Sequence, residues 1–273
     1  MVQLTSSDDP ARNLVQTSAY VREASRAGAE FILTPEVTNC VSSSRAHQET
    51  VLQQEEADIT LDGLRHEARA QSVWLLIGSL GLKVPDGDGR FANRSFLIDP
   101  AGQIVARYDK IHMFDVDVSD AETYRESAGY APGDMAVVAK VKDTTVGLSI
   151  CYDLRFPHLY RALAKAGAAI LTVPAAFSPG TGPAHWESLL RARAIENGCF
   201  VLAPAQCGQH DVSEGRSRRT HGRSLAVAPW GEILADGGDL PGVTLVDLNM
   251  AEVDDARRRV PSLKHDRPFE GPQ

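Results

Sequence analysis

Short apolar runs rich in valine, isoleucine and leucine alternate with amphipathic stretches along almost the whole chain. Apolar runs of about four to eight residues are typical of buried strands, and longer amphipathic stretches are typical of helices that pack on a sheet. This alternation predicts an α/β fold. The predicted strands are 2–4, 31–34, 73–79, 90–98, 103–108, 136–141, 145–150, 168–173, 200–203, 224–228, 232–235 and 243–247, and the predicted helices are 10–26, 61–70, 158–165, 184–197 and 250–258.

Two segments share one local pattern, which is a helix end, a glycine, a strand and a proline. They are 26–35 and 165–174. Asp8 or Asp9 can cap the helix before the first segment, and Gly28 ends that helix. The match either reflects how any helix enters a strand or indicates a fold with two related α/β halves.

Composition restricts the domain organisation and the kinds of partner. The chain has 273 residues, of which 43% are hydrophobic, and no linker or charge block divides it, so we predict one domain over 1–273. A net charge of −8 disfavours a nucleic-acid partner, which would require a basic stripe. The longest apolar stretches, 73–82 and 168–177, are too short to span a bilayer, so we expect no membrane partner.

The four cysteines are Cys40, Cys151, Cys199 and Cys207, and they have neither CxxC spacing nor a zinc-like arrangement with histidine. With no signal peptide, we interpret them as reduced thiols of a cytoplasmic protein. We expect no metal or other cofactor. Cys199 and Cys207 are interpreted as core thiols. For Cys207, a position in the lining of the pocket is the less favoured alternative.

Three chemically reactive side chains each follow the end of a predicted strand. Cys151 directly follows one strand, and Glu36 and Lys110 come shortly after two others. Open α/β sheets bind ligands at the ends of their strands. If these three ends meet at one edge, a thiol, an acid/base group and a cation form a site.

Such a trio is suited to attack on a carbonyl group. A thiol needs a base near neutral pH, and Glu36 can serve if burial raises its pKa. Lys110 would favour the thiolate and stabilise an oxyanion, with the backbone N–H of Tyr152 as a second donor. The residues therefore predict acyl transfer through a thioester.

Each of these residues also has a purely structural interpretation. Cys151 would be a small buried hydrophobic residue, Glu36 a solvated loop acid, and Lys110 a surface lysine at a strand end. Their co-occurrence favours the functional interpretation.

Three segments, in this order, resemble the signatures of the nitrilase superfamily, the carbon–nitrogen hydrolases: Thr34-Pro35-Glu36, Tyr108-Asp109-Lys110-Ile111-His112 and Gly147-Leu148-Ser149-Ile150-Cys151-Tyr152-Asp153. The resemblance covers nearly the whole chain. It implies a four-layer α-β-β-α sandwich that forms a homodimer, with the C-terminal tail (about 259–273) packing across it. It also implies a catalytic triad of Glu36, Lys110 and Cys151 with a second, supporting glutamate, which matches Glu126.

Further segments resemble the Nit amidases, a branch that cleaves amides of 2-oxo acids. They are 110–117, 151–157 and 181–187. Segment 205–210 is closer to the deaminated-glutathione amidases of that branch than to its ω-amidases. The resemblance therefore implies an amidase that acts on a small carboxylated metabolite such as deaminated glutathione.

A carboxylated substrate predicts a bidentate cation near the thiol. Arg155 resembles the carboxylate clamp of related carbamoyl-amino-acid hydrolases, and the alternative is an arginine that braces the turn against Asp153. Tyr152 and His185 are assigned to substrate binding, and His185 is predicted to pack beside the site rather than to take part in the chemistry. The charged loop 211–219 departs from the family pattern and is expected to alter the rim of the site.

Other functions remain open at this point. An ω-amidase, an N-carbamoyl amino acid amidase or a nitrilase would use the same triad. A vestigial interaction scaffold is the alternative from another class, and a thiol sensor at Cys151 is disfavoured because no resolving cysteine is near it in sequence.

Overall fold

The computed structural model describes residues 1–85, 87–119 and 122–272. The strands are β1 (Val2–Gln3), β2 (Phe31–Leu33), β3 (Trp74–Lys83), β4 (Phe91–Ile98), β5 (Ile104–Asp109), β6 (Asp115–Ser119), β7 (Glu122–Arg125), β8 (Val138–Val141), β9 (Thr144–Leu148), β10 (Ile170–Thr172), β11 (Phe200–Ala203), β12 (Cys207–Gln209), β13 (Arg219–His221), β14 (Leu225–Val227), β15 (Ile233–Asp236) and β16 (Gly242–Val243). The helices are α1 (Pro10–Arg26), α2 (Arg45–Val51), α3 (Ile59–Gln71), α4 (Pro157–Lys165), α5 (Gly182–Asn197) and α6 (Ala251–Arg259), with short 3₁₀ turns at Glu55–Ala57, Glu126–Ala128, Cys151–Arg155 and Ser262–Lys264.

Two mixed sheets form the centre of the molecule. The first sheet has the order β2-β3-β4-β5, in which β2 and β3 are parallel and the other pairs are antiparallel. The second sheet has the order β15-β14-β11-β10-β9-β8, and its strands β9, β10 and β11 are parallel. The strands that precede Glu36 and Cys151 therefore belong to different sheets.

The alternation of side chains along β3 shows how the layers are stacked. Leu75 and Ile77 pack in a core with α1 and α3, whereas Leu76 packs in the core that contains Leu148 of the second sheet. Successive side chains of a strand point to opposite faces, so the first sheet separates these two cores. The core that contains Leu148 continues on the other face of the second sheet, where Leu163 of α4 packs next to Gly147 of β9. The predicted four-layer α-β-β-α sandwich is confirmed.

The two segments with matching sequence also have matching local structure. Asp9 caps α1 by accepting from the backbone N–H groups of Ala11 and Arg12. Gly28 follows α1 with φ +95°, and Gly167 follows α4 with φ +97°, a conformation that glycine adopts without steric cost. Each glycine leads into a strand that has a parallel neighbour in its sheet.

The sequence prediction missed helix α2, the β6–β7 hairpin and the β12–β13 pair. Helix α2, strand β7 and the β12–β13 pair are mostly polar and lack the apolar periodicity that marks an amphipathic element. Strand β6 does alternate aspartate and valine, a short strand signal that the sequence prediction missed. The predicted last strand, 243–247, is reduced to β16, because its partner β1 offers only two residues for pairing.

The C-terminal tail packs on helix α4 of the same chain. Asp266 forms ion pairs with Arg161 and Lys165, and the Arg161 Nη2 donates to the carbonyl of Ser262 at 2.7 Å. No helix in the described residues is long and apolar enough to cross a membrane.

Candidate active site

The two sheets bring the three predicted reactive residues into one buried cluster. Glu36 lies in the loop after β2, Lys110 directly follows β5, and Cys151 opens the turn after β9. Their exposed fractions are 4%, 2% and 7%, respectively. The structure therefore excludes the interpretation of Glu36 and Lys110 as solvated surface residues.

Lys110 lies between two carboxylates. Its Nζ is 2.8 Å from Oε1 of Glu36, and 2.9 and 2.8 Å from the two carboxylate oxygens of Glu126. Glu126 also accepts from the backbone N–H of Phe114 at 2.6 Å. These bonds hold the ammonium in a fixed position between the two carboxyl groups.

Asn93, in the middle of β4, is a site residue that the sequence analysis missed. Its Nδ2 donates to Glu36 Oε1 at 3.0 Å and to Glu126 Oε1 at 3.3 Å. The signal was an asparagine within a strand whose residues are otherwise mostly buried and apolar, because asparagine is depleted in strands.

The backbone is in the left-handed region at two site residues that are not glycine. Cys151 has φ +47°, and Val37, next to Glu36 in sequence, has φ +48°. This conformation is unfavourable for both residues and most of all for the β-branched valine. Such strain is retained where the surrounding structure enforces it, and here the Cys151 N–H donates to the carbonyl of Pro174 at 2.9 Å.

The Glu36 carboxylate is held next to the thiol at the centre of the cluster. Its Oε2 accepts from the Ala176 N–H at 2.8 Å, and its charge raises the pKa of the Cys151 thiol. The Gln206 side chain donates to the Glu36 carbonyl at 3.0 Å, which fixes the backbone of this residue. The carboxylate is therefore fixed in the same buried cluster as the sulfur.

Electrostatics set the resting protonation of the three groups. Burial raises the pKa of Glu36, but the charge and hydrogen bond of Lys110 outweigh it, and the net pKa lies below the ordinary value. Burial and the Glu36 charge raise the pKa of Cys151 well above its usual range. Burial lowers the pKa of Lys110, but the charges of Glu126 and Glu36 raise it well above normal. The resting site thus holds a carboxylate, an ammonium and a neutral thiol.

This result corrects the expectation that burial would raise the pKa of Glu36. The ammonium at 2.8 Å is the deciding group, because it favours the ionised carboxylate more strongly than desolvation disfavours it. Glu36 is therefore deprotonated before the thiol gives up its proton.

A buried aspartate joins the nucleophile turn to the end of β5. Asp153 accepts from the Tyr108 hydroxyl at 2.6 Å, from the Ile150 N–H at 2.9 Å and from the His112 N–H at 3.0 Å. His112 Nδ1 lies 2.7 Å from the same carboxylate. These contacts link the strand that delivers Lys110 to the turn that delivers Cys151.

A cavity of about 420 Å³ opens over the cluster. Its wall includes the three reactive residues, Glu126, Asn93 and Tyr152, together with several further aromatic rings and three arginines. The aromatic residues are Phe114, Tyr124, Tyr130 and Phe177, and the arginines are Arg45, Arg125 and Arg218. The volume fits a small metabolite.

Arg155 and His185 are not part of the cavity wall. The Arg155 Nη2 lies 3.1 Å from Nδ1 of His185, and its guanidinium lies 5.8 and 5.6 Å from the ring centroids of Tyr152 and Phe177. The alternative partner for Arg155 was Asp153, whose carboxylate is instead occupied by the groups described above. Arg155 therefore lies outside the cavity wall and packs near Tyr152 and Phe177, two aromatic residues of that wall.

The other cysteines differ in their relation to the cavity. Cys199 and Cys207 are fully buried core thiols outside the cavity wall, whereas Cys40, which the sequence analysis did not select, lines the wall. Burial raises the pKa of Cys40 to about 12, which makes it an inert thiol. Among the described residues, no group of three or more His, Cys, Asp or Glu side chains could hold a metal ion.

Comparisons with known sequences point to one family. The family profile described as carbon–nitrogen hydrolase matches residues 1–258. A deaminated glutathione amidase from Yersinia enterocolitica is 38% identical over 268 residues, which are 98% of this chain and 92% of that protein. A deaminated glutathione amidase from Synechocystis sp. is 40% identical over 97% of this chain and 96% of its own length.

Solved structures agree with the sequence comparisons. The C. elegans NitFhit protein aligns with a TM-score of 0.88 and 32% identity, and the match covers 97% of this chain and 64% of NitFhit. An amidase variant from Nesterenkonia sp. AN1 aligns with a TM-score of 0.76 and 27% identity, over 96% of both chains. That structure shows the result of Michael addition of acrylamide at the active-site cysteine.

Proposed function

This chain belongs to the carbon–nitrogen hydrolase family, and we propose that it is an amidase whose substrate is deaminated glutathione. As a family member, it is a hydrolase that acts on carbon–nitrogen bonds other than peptide bonds. The observation that carries the proposal is the buried cluster of Glu36, Lys110 and Cys151 at the base of a cavity of metabolite size.

Attack by the thiol would begin the reaction. Glu36 is ionised and lies in the same buried cluster as the Cys151 thiol, so it can accept the proton as the sulfur attacks the amide carbon. The carbonyl oxygen becomes an oxyanion, which Lys110 and the Tyr152 N–H stabilise. One such donor contributes about 3 kcal/mol to the stability of a transition state.

Collapse of this intermediate would release the amine. Glu36 returns its proton to the leaving nitrogen, the carbon–nitrogen bond breaks, and the acyl group remains on Cys151 as a thioester. Glu36 then takes a proton from water, whose oxygen attacks the thioester carbon. The carbon–sulfur bond breaks, the carboxylic acid leaves, and Glu36 gives its proton to the sulfur, which restores the neutral thiol. The same carboxylate therefore acts as base and then as acid in each half of the reaction.

Glu126 acts through Lys110. Its two oxygens hold the lysine Nζ at 2.8 and 2.9 Å, and the remaining contacts to Asn93 and the Phe114 N–H hold the carboxylate. In this arrangement Glu126 keeps the ammonium oriented toward the position of the oxyanion.

We further propose that the enzyme works as one domain over 1–273, in the cytoplasm, as a homodimer and without a cofactor. The four cysteines are buried free thiols, which is consistent with a reducing compartment. The homodimer rests on the family resemblance.

The test is amide hydrolysis by the purified protein with a panel of substrates. The panel contains deaminated glutathione, 2-oxoglutaramate, an N-carbamoyl amino acid and a simple nitrile, and the control is Cys151→Ala. The proposal predicts the highest kcat/KM on deaminated glutathione and loss of turnover in the variant. A preference for another member of the panel, or turnover by Cys151→Ala, would contradict the substrate or the nucleophile, respectively.

A further inference from the structure

The charged loop 211–219 places an arginine in the catalytic cavity. Arg218 is half-buried and lines the cavity wall, and its Nη2 donates to the carbonyl of Ala176 at 2.6 Å. Its guanidinium also lies 5.5 Å from the ring centroid of Tyr124, another wall residue. The loop therefore contributes one side chain directly to the site.

The charge of Arg218 has no carboxylate partner in the described part of the chain, unlike the other cations of the wall. Lys110 is paired with two glutamates, Arg45 with Glu49, and Arg125 with Asp117. The Nε of Arg218 is buried and makes no hydrogen bond. This Nε is closed off from the cavity by protein, so an incoming anion would pair with the exposed part of the half-buried guanidinium, which has no ionic partner among the described residues.

Several hydrogen bonds hold the loop in place. The backbone and side chain of Ser213 donate to Asp8 at 2.6 and 2.7 Å, and Ser43 donates to the Arg216 carbonyl at 2.7 Å. Ser217 donates to the His210 carbonyl at 2.5 Å. The arginine is therefore pre-positioned and does not have to be ordered by the ligand.

Ala176 connects this arginine to the reacting groups. Its N–H donates to Glu36 Oε2 at 2.8 Å and its carbonyl accepts from Arg218, so one residue separates the guanidinium from the catalytic carboxylate. The Arg218 charge also lowers the pKa of Glu36, although less than Lys110 does. Cys151 and Arg218 line the same cavity, so an acyl chain attached to the sulfur can extend toward the guanidinium with an anionic group at its far end.

We propose that Arg218 binds a carboxylate of the amide substrate and so determines the specificity of the enzyme for carboxylated amides. This inference rests on the proposed amidase function and assigns its anion subsite. A guanidinium with free N–H donors binds a carboxylate through charge-assisted hydrogen bonds. Arg155, the cation selected from the sequence, lies behind the rings of Tyr152 and Phe177.

Deaminated glutathione has two carboxylates that Arg218 could bind. One belongs to the 2-oxo acid on the acyl side of the scissile amide, and the other is the glycine carboxylate on the amine side. 2-Oxoglutaramate has only the first, and pentanamide has neither. These three amides therefore distinguish the two sources.

The experiment compares Arg218→Gln with Arg219→Gln, a matched control that removes the same charge from the exposed neighbouring residue. We expect Arg218→Gln to raise KM for deaminated glutathione roughly 10- to 100-fold, the range for a lost hydrogen bond to a charged group, with a smaller change in kcat. Hydrolysis of pentanamide should be unchanged. Arg218→Lys should recover part of the affinity, because it keeps the charge without the planar fork.

A binding measurement decides the inference even if the substrate is a different carboxylated amide. 2-Oxoglutarate should protect Cys151 of the wild-type protein from iodoacetamide, and Arg218→Gln should need a concentration at least about tenfold higher for the same protection. An unchanged protection constant, or an equal loss of pentanamide hydrolysis, would overturn the role of Arg218. Failure of the wild-type protein to cleave deaminated glutathione, with protection retained and dependent on Arg218, would overturn the proposed substrate alone.

The comparison of deaminated glutathione with 2-oxoglutaramate identifies which carboxylate Arg218 binds. An equal rise in KM for deaminated glutathione and 2-oxoglutaramate places Arg218 on the acyl side. A rise for deaminated glutathione alone places it on the amine side. Both results support the inference.

Discussion

At the scale of single residues, the site depends on the balance of charge around one thiol. The charge of Glu36 raises the pKa of Cys151 and keeps the thiol protonated, while the charge of Lys110 lowers that pKa. The neutral thiol protects the enzyme from indiscriminate alkylation, because the thiolate is the reactive species. In the proposed mechanism, proton transfer to Glu36 becomes favourable as negative charge moves to the oxyanion beside Lys110.

Glu36→Gln should make the thiol more acidic. The substitution removes a negative charge that raises the Cys151 pKa and leaves Lys110 in place. The midpoint of iodoacetamide alkylation should move to lower pH, although amide turnover is lost. The measurement is the alkylation rate against pH by mass spectrometry.

Glu187→Gln is the control, because this glutamate lies on the exposed side of α5 and the charge change is the same. An upward or absent shift of the midpoint in Glu36→Gln would contradict the assigned protonation states.

At the scale of secondary-structure elements, catalysis depends on how closely the two sheets approach each other. Gly78 of β3 lies at this contact. A Cβ there would be 2.0 Å from the carbonyl oxygen of Thr34 and 2.5 Å from both the Pro35 carbonyl oxygen and the Pro174 Cβ. The loops it would displace carry Glu36 and the carbonyl that accepts from Cys151.

Gly78→Ala should therefore lower both stability and kcat. Forcing an extra methyl group into a packed contact costs about 1–3 kcal/mol of unfolding free energy. Gly242→Ala serves as the control, because a Cβ on that strand residue would have no atom within 4 Å. Urea unfolding and steady-state kinetics measure the two effects. A Gly78→Ala enzyme with the stability and kcat of the control would refute the close approach.

At the scale of the whole molecule, the buried ion cluster is part of the core. Lys110 is 2% exposed and neutralises Glu36 and Glu126 between the layers of the fold. Removing one member of a buried charge pair leaves the other uncompensated, which is far more costly than losing a surface pair.

Lys110→Met should therefore destabilise the protein by about 3–5 kcal/mol at neutral pH. The loss should shrink as pH falls, because without Lys110 burial raises the Glu36 pKa above its unfolded value and protonation then favours the folded state. The measurement is urea unfolding between neutral and mildly acidic pH.

The comparison variant is Lys142→Met, which breaks an exposed pair with Glu30 and should cost no more than about 1 kcal/mol. Equal losses in the two variants would show that the buried cluster contributes nothing beyond a surface ion pair.

Much of the fold could be predicted from sequence because its signals are local. The Asp9 cap, the Gly28 stop and the apolar strands of both sheets follow from the identity and spacing of neighbouring residues. The β6–β7 hairpin, which carries the chain to Glu126, gives a weaker signal, because β6 alternates aspartate with only two valines and β7 is mostly polar. Glu126 was assigned by resemblance, and its contact with Lys110 emerged from the structure.

The sequence by itself determined the family, the α/β class and the identity of the reactive side chains, because short motifs at strand ends record the chemistry directly. Tertiary structure decided the protonation of Glu36, the place of Asn93 and which cavity arginine lacks a carboxylate partner among the described residues. Each of these depends on distances between residues far apart in the chain. Arg218 lies 67 positions after Cys151, whereas Arg155 lies only four positions after it, and the packing of the loop on Asp8 and Ser43 brings the more distant residue to the site.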